Sequence, residues 1–96
     1  MLDKDAVCIQ LVEAAVSGKY FGYVNSATIL SFYADLADGL DVANLKKAHL
    51  QIALAALRNG TMDNGHKDHI SHGAAVAKFC NEIAKGIEVP PNISFD

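Results

Sequence analysis

Polar residues in this chain recur on one narrow helical face at a time, and apolar residues fill nearly everything between them. From about Lys4 to Ser17 the polar positions Asp3, Gln10, Glu13 and Ser17 form one stripe, flanked by Val7, Cys8, Ile9, Leu11, Val12 and Val16. A 3.6-residue period with so wide an apolar side specifies a helix packed on other helices; a half-buried strand would alternate with a period of two. The stretch from Ala27 to Asp38 repeats the pattern, with Thr28, Ser31, Asp35 and Asp38 as its stripe. A third stretch runs from after Asp41 to about Arg58. Its stripe of Asn44, Lys47, Gln51 and Arg58 is interrupted by Leu54 and Ala55, so its second half reads as apolar all round. A fourth begins between His66 and Ser71 and runs to Lys85.

Start and stop residues punctuate these stretches. Asp3, Ser26 and Asp41 are the expected N-caps of the first three helices, and Asp63, Asn64 or Asp68 that of the fourth. Gly18 and Gly86 stop the first and last, Asn59-Gly60 the third, and Gly39 is the expected left-handed stop of the second. Pro90 and Pro91 exclude a further helix. The expected fold is therefore all-α: a compact four-helix bundle, one domain over residues 1–96, with residues 87–96 as an extended, proline-containing tail packed on the body.

The chain is 51% hydrophobic and 20% charged, which excludes disorder. Alanine fills 15 positions, however, so the core leans on a limited set of larger aliphatic and aromatic residues. In a small bundle every helix faces water somewhere, and a third helix without a polar side needs cover. A homodimer is the expected cover, or another protein partner. Leu50, Leu54 and Leu57 on the third helix would form the interface, together with Tyr20, Phe21 and Tyr23 in the aromatic connector after the first. An apolar ligand held between alanine-rich helices is the alternative.

The candidates for chemistry are sparse. His66, His69 and His72, with Asp68, are metal-ligand types, but a strict spacing of three carries them progressively around a helix and away from a common ion. A solvated first turn explains them, and neither metal nor cofactor is expected. His49, within an apolar helix face, reads as a hydrogen-bonded core or interface residue. Asp35, Asp38 and Asp41 read as helix-end residues, because the alternating ligands and closing Glu of a calcium loop are missing. Cys8 and Cys80 sit in apolar patterns and are expected to stay reduced. No nucleophile elbow, phosphate loop or dinucleotide fingerprint is present, so no enzyme is expected.

A formal charge of −3, with Lys46-Lys47 the only adjacent basic pair, argues against nucleic acid. A helix-turn-helix drawn across Asp38-Gly39-Leu40-Asp41, with a recognition helix opening at Val42, would turn acids toward phosphates. No apolar run reaches the ~18 residues of a membrane span. The acidic start, Asp3-Lys4-Asp5, is unlike a secretory signal, so a cytoplasmic location is expected. The sequence thus predicts a non-enzymatic, self-associating protein–protein interaction module. The alternatives are an apolar-ligand module, a metal-binding protein or a small DNA-binding regulator.

Overall fold

The computed structural model describes residues 2–18, 25–59 and 72–88. They form α1 (Lys4–Ser17), α2 (Ser26–Gly39), α3 (Lys47–Arg58) and α4 (His72–Gly86), with no strand among the described residues. The fold is all-α with four helices, and none of the described helices is long and apolar enough to cross a membrane.

Local chemistry sets the helix ends. The Asp3 carboxylate caps α1, accepting from the Asp5 N–H at 3.0 Å. For α2 the cap is Asn25 rather than Ser26. Its side-chain oxygen accepts from the Thr28 N–H, and the Thr28 hydroxyl accepts from the Asn25 N–H, each at 2.9 Å. This reciprocal pair satisfies two backbone donors at once. Gly39 is not a left-handed stop. It closes α2 in line, and the chain departs at Leu40 with extended angles (φ −82°, ψ 127°), which turn that leucine into the core.

The third helix starts later than its sequence suggests. Asp41 does not cap it; its carboxylate accepts from the Ala43 N–H at 3.0 Å, closing a local turn. Leu45 is then buried, and α3 opens only at Lys47. The helix-turn-helix drawn from the sequence falls with this shift, because Val42 to Lys46 form no helix.

Helix directions follow from a few contacts. α1 and α2 are neighbours, linked where Tyr33 reaches Asp5. Gly18 at the end of α1 packs on the Leu57 carbonyl at the end of α3, so those two run the same way. The Gly73 and Ala77 positions of α4 meet Phe32 and Gly39 of α2 in the same order, so α2 and α4 also run together. His49 near the start of α3 reaches Ile87 just past α4, which makes that pair antiparallel. The four helices therefore go up, down, up and down around a ring ordered α1–α2–α4–α3, with α1 and α4 on one diagonal.

Val7, Cys8, Leu11, Phe32, Leu36, Leu54, Leu57, Val76, Cys80 and Ile83 fill the centre. The third helix is not apolar all round. Leu54 is buried beside Leu50 and Leu57, whereas Lys47, Gln51, Ile52, Ala55 and Arg58 face outward. Its leucines are covered within the subunit, because α3 touches both α1 and α4, and Ile52 is left exposed.

Candidate interaction surface

Leu50, Leu54 and Leu57 cannot be the contact surface expected of them, since all three belong to the subunit's own core. Tyr20, Phe21 and Tyr23 lie outside the described residues, as do His66, Asp68 and His69. His72 opens α4 and is half-buried. Among the described residues, no three His, Cys, Asp or Glu side chains stand together as a metal set.

Exposed apolar bulk appears on α1 and α2, and singly at Ile52 and Ile87. Ile9 is 51% exposed, Leu30 is 69% exposed, and Val16 is also exposed. Ile9, Val12 and Val16 follow one line along α1 at spacings of three and four. On α2, Leu30 and Tyr33 are three apart. A long hydrogen bond from the Tyr33 hydroxyl to the Asp5 carboxylate, 3.4 Å, ties the two helices. Ile9 is one turn along α1 from Asp5, and Leu30 nearly one turn along α2 from Tyr33, so each is a neighbour of one partner of that bond. The two exposed side chains therefore share the α1/α2 seam, floored by half-buried Val12 and Tyr33. Asp5 is exposed on the α1 side of it. Partial burial, and then the Asp5 carboxylate, raise the Tyr33 phenol above its ordinary value.

A second concavity lies between α2 and α4. It is a groove of about 400 Å³ in which Asp35 and Asp38 of α2 share the walls with Lys78, Glu82 and Lys85 of α4. Its walls are charged or small, unlike the leucine- and phenylalanine-lined cavity that an apolar ligand needs. Asn81 at its edge has a structural task. Its amide donates to the Gly39 carbonyl and its oxygen accepts from the Asp41 N–H, both at 3.0 Å. One side chain thus grips the backbone on either side of Leu40 as α2 ends.

One imidazole and two thiols lie in the interior. His49 is only 2% exposed, and its ring bridges two backbone segments. Nδ1 accepts from the Lys46 N–H at 3.0 Å, so Nε2 carries the proton and donates to the Ile87 carbonyl at 2.7 Å. This pair caps α3 and ties its start to the end of α4. Cys8 and Cys80 are both free and fully buried. Burial pushes the Cys80 thiol up to about 12, with a smaller contribution from Cys8 across the bundle, and it also raises Cys8. Both stay protonated thiols, which are poor nucleophiles.

No protein-family model, curated protein or solved structure matches the chain.

Proposed function

We propose that this chain is a non-enzymatic helical interaction module that associates with further copies of itself through the α1/α2 seam. One observation carries the reading: Ile9 and Leu30, each more than half exposed, stand on two adjacent helices beside the Tyr33–Asp5 bond that ties them. Single exposed aliphatic residues are ordinary on any protein surface. A contiguous group, extended here by Val12, Val16 and Tyr33, is what marks a contact surface.

The energetics favour a weak contact. Withdrawing the exposed parts of such side chains from water is worth on the order of 1 kcal/mol each. The cost of association offsets much of that, so a reversible, micromolar interaction is expected. The non-enzymatic part of the reading is supported by the protonated, inaccessible thiols and by the lack of a nucleophile–base motif in the sequence. A cytoplasmic site suits free thiols of this kind.

Gel filtration with light scattering tests the reading. The mean mass of the full chain should rise with concentration across the micromolar range. In Leu30→Lys, which alters a largely exposed position and leaves the core intact, it should stay at one chain. A wild-type protein that remains a single chain throughout contradicts the proposal.

A further inference from the structure

We infer that residues 89–96 fold back into the seam between α3 and α4, so that the chain covers a second apolar surface with its own following segment. The inference is independent of the self-association proposed above. Residues 89–96 lie outside the described residues, but the surface does not. It starts at the bond from the His49 ring to the Ile87 carbonyl, which joins the start of α3 to the end of α4. From His49, Ile52 and Ala56 follow at spacings of three and four and share one side of α3. From Ile87, Ile83 and Phe79 step back along α4 at spacings of four. Ile52 and Ile87 are 41% and 42% exposed, and Ala56 and Phe79 are half-buried. Two apolar lines therefore climb from one foot along a pair of touching helices.

From Ile87 onward the sequence alternates. Ile87, Val89, Pro91, Ile93 and Phe95 take every second place, with Glu88, Pro90, Asn92, Ser94 and Asp96 between them. Pro90 and Pro91 favour an extended backbone, in which alternate side chains point to opposite sides. One side of the strip is thus wholly apolar and needs a surface to lie on. The eight residues 89–96, fully extended, reach about 26 Å. The twelve residues of α3 rise about 18 Å, so the strip can run the length of the seam that begins where it does. The α1/α2 seam lies on the opposite edge of the ring, across a bundle 23 Å wide, and the crossing would spend these residues. Docked between α3 and α4, the strip withdraws Ile52 from any partner and leaves the α1/α2 seam as the open apolar surface.

A nitroxide label on residue 94 of the full chain tests the placement. In Ser94→Cys the label is confined to the new thiol, because Cys8 and Cys80 are buried. Amide signals from Ile52 to Ala56 and at Phe79 should lose most of their intensity and regain it when the label is reduced. Those of Ile9 and Leu30 should keep theirs. Phe95→Asn, which leaves the bundle untouched, should remove most of the loss. Ile52→Lys should do the same, with circular dichroism confirming its fold. Broadening spread evenly over the surface, or centred on Ile9 and Leu30, overturns the inference. So does a mixture in which labelled chains broaden α3 of unlabelled, isotope-enriched copies as strongly as their own, since the segment would then serve a neighbour.

Discussion

Replacing His49 with alanine leaves the Lys46 N–H without its acceptor at the start of α3 and frees the Ile87 carbonyl. A part-buried donor left unmade costs about 1–3 kcal/mol, and urea denaturation of His49→Ala should show a loss in that range. The thiols give a pH-dependent counterpart. In the unfolded chain Cys80 ionises near the ordinary 9.0, and in the bundle near about 12. The folded state therefore keeps a proton that the unfolded state releases. Stability is full below the lower value and falls between the two, by up to about 1.4 kcal/mol per pH unit for one thiol. Denaturation midpoints followed into alkaline solution should show this slope, and Cys80→Ala should flatten it. His49 and both cysteines were legible in the sequence, because a polar or sulfur-bearing residue inside an apolar helical pattern must be buried. Asn81 was not legible. It reads as one more polar surface residue, and its partners at Gly39 and Asp41 lie some forty residues away.

At the scale of the elements, two glycines of the same helix should respond in opposite ways. A Cβ on Gly73 would stand 2.5 Å from the Phe32 carbonyl oxygen and 2.6 Å from the Asp35 Cβ, so Gly73→Ala forces α4 away from α2. Overpacking of this kind costs about 1–3 kcal/mol, outweighing alanine's better helix propensity. At Gly86 nothing lies within 4 Å, and Gly86→Ala should be neutral or gain up to about 1 kcal/mol. Thermal melts of the two variants against the wild type check the sign of each. The sequence located α1 closely, because Asp3 and Gly18 bound an unbroken periodic run. It placed the start of α3 too early, at Asp41. An Asp before an apolar run signals a helix cap and a tight turn equally well, and only the burial of Leu40 and Leu45 selects the turn.

For the whole molecule, the sequence predicts surplus apolar surface on the first three helices and picks Leu50, Leu54 and Leu57 of the third as part of the contact. Periodicity alone counts apolar residues around a helix without showing which neighbours cover them. α3 lies against both α1 and α4, and Leu50, Leu54 and Leu57 are used up there. α2 buries fully only Phe32 and Leu36, and Leu30 is left outside beside Ile9. Association through that exposed pair is the central claim, and amide NMR spectra recorded over a dilution series test it most directly. Concentration-dependent shifts should cluster at Ile9, Val16 and Leu30, with the core residues unmoved. Spectra that do not change with concentration, or shifts centred on the α2/α4 groove around Asp38 and Lys78, would contradict it.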